Sequence, residues 1–205
     1  MILDTRRKLI YIHIPKTGGY STRKYYKLRY PTKKYKQDGH RFFVNNQHAT
    51  SEEVKKFYPK EWRTYHKFCT VRDPWDRFVS FYYHFLYRKN RVIDSFDFEY
   101  FLINYFNDPK KIFLPYLFNS SVNFLKPCTT WTDAGIDTVL KLENLEADIH
   151  KFDRLMGFKK NKIIHANKSK RDKNKIPGRD HYNSKTKDII YKHFKSDIKR
   201  FNYEF

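Results

Sequence analysis

The stretch "KLIYIHIPKTGGYST", residues 8–22, decides the fold. Residues 8–14 form a short, apolar and β-branched run that ends at Pro15, which predicts a buried strand. The pattern of residues 20–30 then predicts a helix that the next proline stops. A strand that turns through glycines into a helix is a typical anion-binding site, because backbone N–H groups point at the ligand there.

The order of residues in this loop differs from the common nucleoside-triphosphate loop, G-x-x-x-x-G-K-[ST]. Here Lys16 precedes Gly18 and Gly19, so a standard triphosphate loop is disfavoured. The loop still offers a cation and three hydroxyl donors, on Thr17, Ser21 and Thr22. The alternative is a plain strand-to-helix turn that uses the glycines for geometry, and the loop alone leaves this open.

The rest of the chain alternates between predicted strands and helices. Strands are predicted at 41–44, 65–71 and 138–143, and helices at 49–58, 72–89, 98–106, 144–157 and 184–194. A capping box of Thr50 and Glu53 marks one helix start. The alternation predicts an α/β fold, P-loop-like, with three layers (α/β/α) around a central mostly parallel sheet. Residues 1–205 are expected to form a single domain.

A second segment, "RDPWDRFVSFYYHFLYRK" at residues 72–89, opens with a clear helix start. Asp73 can cap the helix, and Pro74 occupies its first position. A buried aromatic face is predicted from Trp75, Phe78, Tyr82 and Phe85. The opposite stripe is predicted to hold Arg77, Ser80 and His84.

Arg72 directly follows a predicted strand, as does the glycine loop. In open α/β sheets ligands bind outside the carboxyl ends of the strands, so both segments are expected to line one crevice. A guanidinium fork beside a helix start suits a phosphate. The alternative is that Arg72 pairs with Asp73 and that Ser80 only packs against a neighbouring helix.

Together the two segments resemble the sulfotransferases that use 3′-phosphoadenosine 5′-phosphosulfate (PAPS). The resemblance is to the branch of heparan sulfate 2-O-sulfotransferase and its small bacterial and viral relatives. That family has an I-P-K-T-G-G-x-S loop and an R-D-P-x-x-R-x-x-S segment. Three further stretches are similar to family landmarks in the same order: "HATSEEV" (48–54), "LKLENLEADI" (140–149) and the ending that begins "HANKSKR" (165–205). The resemblance covers nearly the whole chain.

The resemblance implies which residues bind the donor. The 5′-phosphosulfate would be surrounded by Lys16, Thr17, Gly18, Gly19, Tyr20, Ser21 and Thr22. The 3′-phosphate, which distinguishes PAPS from ordinary adenine nucleotides, would be held by Arg72 and Ser80. The donor would also face Lys168, Ser169, Lys170 and Arg171. The product would be 3′,5′-adenosine bisphosphate.

Sulfuryl transfer is an in-line displacement in which positioning and charge stabilisation dominate. Lys16 would stabilise charge on the leaving phosphate. No metal is expected, because a sulfuryl group bears less charge than a phosphoryl group and no acidic pair is placed like a Walker-B site. A nucleotide kinase of related fold, which needs Mg²⁺, is the enzymatic alternative.

His48 is the predicted general base, because it precedes the Thr50-capped helix where this family branch places its histidine. A histidine near neutral pKa suits the removal of a proton from the acceptor hydroxyl. Other candidates are His40 and His66, whereas His13 is predicted to pack inside the first strand. Glu143 and Asn144 are interpreted as structural, with Asn144 as a helix cap.

The chain has a net charge of +21, a field that attracts polyanions. Between residues 159 and 200 fifteen Lys and Arg stand against four Asp. We expect this basic third to steer an anionic glycan acceptor. Nucleic-acid binding by a non-enzymatic basic protein is the alternative, but no base-stacking motif accompanies the charges. Two cysteines and no apparent leader or membrane span favour a cytoplasmic protein, and the oligomeric state stays open.

Overall fold

The structure, a computed structural model, describes residues 1–28, 48–87, 97–109, 125–159 and 178–205. The chain divides into two compact units, and the expectation of a single domain stays a prediction. Unit 1 comprises Met1–Arg72 and Cys128–Asn167, and unit 2 comprises Asp73–Pro127 and Lys168–Phe205. The strand predicted at 41–44 lies outside the described residues.

Unit 1 contains a four-stranded sheet in the order β1-β2-β3-β4. The strands are β1 (Ile2–Asp4), β2 (Leu9–Ile12), β3 (His66–Val71) and β4 (Thr138–Lys141). The last three are parallel neighbours, whereas β1 is antiparallel to β2. This mostly parallel sheet confirms the α/β fold class. The sequence analysis did not predict β1.

Eight α-helices occur within the described ranges. They are α1 (Gly19–Tyr25), α2 (Ser51–Phe57), α3 (Pro59–Thr64), α4 (Pro74–Tyr87), α5 (Phe98–Asn107), α6 (Leu145–Met156), α7 (Ser184–His193) and α8 (Lys195–Phe201). Short 3₁₀ helices occupy Cys128–Trp131, Leu142–Asn144 and Gly178–His181. The helices α3 and α8 were not predicted. No helix in these ranges has the length and apolar character needed to cross a bilayer.

Helix α1 is shorter than the predicted span of residues 20–30. Lys27 adopts φ 51°, the left-handed conformation that ends many helices. The Leu28 amide then donates to the Arg23 carbonyl (2.9 Å), and the Lys27 amide donates to the Lys24 carbonyl (3.1 Å). This is a Schellman arrangement, and the Leu28 side chain is buried in the core of unit 1. The helix therefore ends well before the proline.

One hydrophobic cluster of unit 1 lies on one face of the sheet. Alternate strand residues point to this face, among them Leu9, Tyr11, Phe68 and Leu140. Helix α6 covers them with Leu145, Ile149 and Phe152. At the edge of this core the buried Asp153 carboxylate accepts hydrogen bonds from the hydroxyls of Tyr25 and Tyr26. These bonds join the end of α1 to α6.

The core of unit 2 is built from aromatic rings. As predicted, the face of α4 with Trp75, Phe78, Tyr82 and Phe85 is buried. It packs on α5, where the Phe78 and Phe101 ring centroids are 6.0 Å apart. The predicted helix cap is also confirmed, because Asp73 accepts from the Asp76 amide at 3.0 Å.

Arg77, which helical spacing places opposite the aromatic face of α4, is buried as well. Its side chain is 1% exposed and lies 3.9 Å from the equally buried Asp197 carboxylate. A guanidinium N–H also donates to the Lys126 carbonyl at 2.8 Å. Three- and four-residue spacing gives the face of a helix but not what packs against it, and α8 brings Asp197 to this side of α4.

Candidate active site

The glycine loop begins as soon as β2 ends. The strand stops at Ile12, so His13 lies beyond its carboxyl end and not inside it as the sequence predicted. Lys16 is half-buried and adopts φ 64°, and Gly18 adopts φ 78° as the residue that caps α1. The Gly18 carbonyl accepts from the Ser21 amide at 2.9 Å. The chain therefore makes a tight turn between strand and helix, as predicted.

Both loop glycines lie close to neighbouring side chains. A Cβ on Gly18 would lie 2.4 Å from Cδ1 of Leu142. A Cβ on Gly19 would lie 2.0 Å from Cδ2 and 2.2 Å from Nε2 of His13. The imidazole of His13 therefore packs directly against the backbone of the loop, which only glycine permits at this distance.

The loop hydroxyls make contacts inside the protein. The buried Thr17 hydroxyl donates to the Ile14 carbonyl at 3.0 Å, and its part in binding an anion stays a prediction. The buried Thr22 hydroxyl lies 3.1 Å from the Thr70 hydroxyl of β3. Ser21 is also buried, whereas Tyr20 is 41% exposed. The hydroxyls of Thr17 and Thr22 therefore fix the loop and α1 on the sheet.

His48 lies beside this loop. Its Nδ1 atom is 2.8 Å from the His13 carbonyl oxygen, and the centroids of the two imidazole rings are 4.7 Å apart. The His48 carbonyl accepts from the indole N–H of Trp131 at 2.8 Å. The capping box that follows is present as predicted, with the Thr50 amide 2.7 Å from Oε2 of Glu53. His48 is thus held between the loop and the start of α2.

The tautomer of His48 follows from this contact. A carbonyl oxygen only accepts hydrogen bonds, so Nδ1 must be the protonated nitrogen. In the neutral ring the lone pair is then on Nε2. A general base accepts a proton through a lone pair of this kind.

Arg72 and Ser80 lie in different units. Arg72 directly follows β3, which is parallel to β2, so Arg72 and the glycine loop stand at the same edge of the sheet. Ser80 lies in α4 of unit 2 and is half-buried, as is Arg72. The parts of Arg72 and Ser80 in a phosphate site stay predictions.

A sequence model described as the sulfotransferase family matches residues 1–204. The chain belongs to the sulfotransferase family. It is therefore a transferase of sulfuryl groups, and the resemblance on which the site prediction rests is confirmed at the level of the family. No curated protein and no solved structure matches the chain significantly.

Two other histidines were candidates for the base of this sulfotransferase. His66 is the first residue of β3, at the opposite end of the strand from the loop edge, about 16 Å away at 3.3 Å per residue. Its Nε2 lies 2.8 Å from the Thr138 hydroxyl, and burial lowers its pKa. Its position favours a structural role. His40 lies outside the described residues, as do Lys168, Ser169, Lys170 and Arg171.

His13 and Trp131 are the residues of this site that the sequence analysis missed. Burial, together with the neighbouring His48, lowers the pKa of His13 well below its usual value, so the ring is neutral at neutral pH. A sequence signal for His13 existed, since it stands two residues before the proline that ends the strand. Trp131 had no such signal, because its contact with His48 spans 83 positions.

Glu143 and Asn144 lie where the landmark "LENL" predicts a strand to turn into a helix. A 3₁₀ turn of Leu142–Asn144 joins β4 to α6. Asn144 occupies the cap position of α6, but its side chain makes no capping hydrogen bond. The turn places Leu142 under Gly18, so this landmark contributes to the packing of the loop.

Proposed function

We propose that this sulfotransferase moves a sulfuryl group from PAPS to an acceptor hydroxyl, with His48 as the general base. It would belong to the branch of heparan sulfate 2-O-sulfotransferase and its small relatives. The products would be 3′,5′-adenosine bisphosphate and a sulfate ester.

The proposal depends above all on His13. Its ring packs against Gly19 in the candidate donor loop, and its carbonyl accepts from the candidate base His48. One residue therefore contacts both parts that the reaction must bring together. A base that is fixed relative to the donor loop meets the requirement for positioning in an in-line transfer.

The proposed chemistry assigns different roles to His48 and Lys16. Nε2 of His48 would accept the proton of the acceptor hydroxyl as its oxygen attacks sulfur. The S–O bond to the 5′-phosphate would break, and Lys16 with the loop amides would stabilise the charge that develops on that phosphate. The left-handed backbone of Lys16 supports this role, because such strained conformations concentrate at functional sites.

Arg72 is proposed to hold the 3′-phosphate. It emerges from β3 at the edge where the glycine loop emerges from β2. A guanidinium binds a phosphate through two parallel hydrogen bonds, which a lysine cannot do. We assign Ser80, Lys168, Ser169, Lys170 and Arg171 to the same donor on the resemblance alone.

The acceptor is proposed to be an anionic glycan. Helices α7 and α8 expose a run of cations that comprises Lys185, Lys192, Lys195, Lys199 and Arg200. A field of this sign raises the local concentration of a polyanionic acceptor, and its effect falls with salt. Transfer to such an acceptor should therefore slow as salt rises, whereas transfer to a neutral sugar should not.

The first experiment tests the donor. Thermal unfolding is measured with and without 3′,5′-adenosine bisphosphate in a metal-free buffer. A ligand at a hundred times its dissociation constant stabilises the folded state by about 2.7 kcal/mol, a measurable shift. Arg72→Ala should lose most of the shift. Arg63→Ala is the matched control, because Arg63 is exposed on α3 before the amino end of β3.

The second experiment tests the reaction with a panel of acceptors and ³⁵S-labelled PAPS. We expect label on an anionic glycan with wild type and none with Lys16→Ala. Lys60→Ala, an exposed lysine on α3, is the control. An absence of any shift or transfer, with metal-dependent ATP turnover instead, would overturn the proposal. The proposal would also be overturned if DNA binding were the only activity found, if this binding weakened with salt, and if Lys16→Ala left it unchanged.

A further inference from the structure

His48 is held at two separate points. Its ring is held by the His13 carbonyl, and its own carbonyl accepts from the Trp131 indole. Trp131 ends a 3₁₀ helix of Cys128–Trp131 and is 4% exposed. A buried hydrogen-bond donor restrains the orientation of its acceptor, because the packed surroundings leave that acceptor little room to move.

A second contact joins the same two segments. The Ala134 amide donates to the Ser51 hydroxyl at 3.1 Å, one turn beyond Trp131. Ser51 is the first residue of α2 and is fully buried. The segment of residues 128–134 is therefore bonded to the His48 carbonyl through Trp131 and to the Ser51 hydroxyl through Ala134.

The direction of the His48 ring depends on its backbone. The imidazole and the carbonyl of His48 are both attached to its Cα, and the Trp131 N–H holds that carbonyl in place. A displacement of this backbone would move Nδ1 away from the His13 carbonyl and would release the ring to exchange tautomers. Nε2 would then no longer hold the lone pair in a fixed direction.

We infer that Trp131 is a positioning residue that fixes the direction and the tautomer of His48 through the His48 carbonyl. This inference rests on the proposed role of His48 as the base. In the proposed reaction Trp131 contacts no reacting atom, and its indole N–H is the group that positions His48.

The test compares Trp131→Phe with Ser51→Ala, which removes the other hydrogen bond between the same segments. For Trp131→Phe we expect kcat to fall about tenfold or more, with the KM for PAPS unchanged, because the base is misplaced while the donor loop is intact. Ser51→Ala should keep kcat near the wild-type value. Benzothienylalanine at position 131 keeps the shape of the indole without its N–H and should reproduce the loss if the phenylalanine variant folds poorly.

A second readout does not depend on activity. ¹⁵N-edited NMR of the imidazoles reports which ring nitrogen is protonated, and His48→Ala identifies the His48 signal by its loss. Wild type should show protonated Nδ1, and the residue-131 variants should show a mixture of tautomers.

The outcomes separate the two proposals. Wild-type kcat and an unchanged tautomer in both residue-131 variants would overturn the role of Trp131. An equal loss of unfolding temperature in Trp131→Phe and Ser51→Ala, with kcat retained in both, would show only a structural role. Full activity of His48→Ala would instead overturn the proposed base, and the tautomer shift would still show whether Trp131 orients His48.

Discussion

The His13 carbonyl oxygen lies 2.8 Å from Nδ1 of His48. This single contact assigns the protonated nitrogen of one histidine through the backbone of another. The ring of the same His13 packs on Gly19, so the loop and His48 share one support. A substitution in the glycine loop should therefore also affect the position of His48, and a substitution of His48 should affect the loop.

Replacing His48 by alanine should remove transfer without removing donor binding. Loss of a general base lowers the rate by about 10²- to 10⁴-fold. Transfer is measured with ³⁵S-labelled PAPS, and binding of 3′,5′-adenosine bisphosphate by calorimetry. His150→Ala on α6 is a control for the loss of an imidazole elsewhere in unit 1. Retained activity would move the base to another histidine.

Replacing Gly19 by alanine should destabilise the protein although Gly19 lies in a helix. In an open helix the change to alanine stabilises by roughly 0.5–1 kcal/mol. Here the new Cβ would lie 2.0 Å from the His13 ring, and overpacking of this kind costs about 1–3 kcal/mol. Urea unfolding of wild type and variant shows whether the free energy of unfolding rises or falls.

The matched test of that clash is the double variant Gly19→Ala with His13→Ala. Removing the ring should relieve the clash, so the double variant should lose less stability than the sum of the two single changes. Simple additivity would contradict the packing described for Gly19.

Replacing Arg77 by methionine should strongly destabilise unit 2. Breaking a buried ion pair from one side costs about 3–5 kcal/mol, because Asp197 would stay buried without its cation. The double variant Arg77→Met with Asp197→Leu should recover much of this loss. Lys185→Met, which breaks an exposed pair with Glu99, should cost less than about 1 kcal/mol. Urea unfolding of wild type and the three variants measures these changes in the free energy of unfolding.

The folded state should lose stability as the pH falls below the usual pKa of histidine, about 6.5. Burial lowers the pKa of both His13 and His66. Below that pH the unfolded chain therefore binds more protons than the folded one, so the unfolding free energy decreases as the pH is lowered. Above that pH the protein keeps its full stability with respect to these histidines.

His66→Gln provides the variant for this pH test. Glutamine does not titrate, and its amide can still bond to the Thr138 hydroxyl. Urea unfolding between about pH 7.5 and 5.5 should show a shallower loss of stability than in wild type. Equal slopes would show that His66 contributes nothing to acid sensitivity.

The sequence predicted the parts of the fold that local chemistry specifies. The strands that became β2, β3 and β4, the capping box at Thr50 and the Asp73 cap depend on residues a few positions apart. The aromatic face of α4 follows from helical spacing alone. Family membership confirmed the resemblance on which the site residues were assigned.

The missed features depend on contacts between distant residues. β1 has only three residues and is defined by its pairing with β2. The partners of Arg77 and Trp131 lie on other elements, and no spacing within one helix can name them. The strand ends at Ile12, two residues before the predicted end, and His13 therefore lies in the candidate site and not in the strand.

Unit 2 is assembled from two stretches of chain that are synthesised at different times. Asp73 and Arg77 leave the ribosome with α4, but Arg179 and Asp197, which bind them, are made only after the long stretch of chain between them. Helix α5 can cover the aromatic face of α4 early, whereas the buried arginine must wait for its carboxylate. We therefore expect the nascent chain to depend on chaperones until α8 emerges, and a chain that is cut off before α8 to be rapidly degraded.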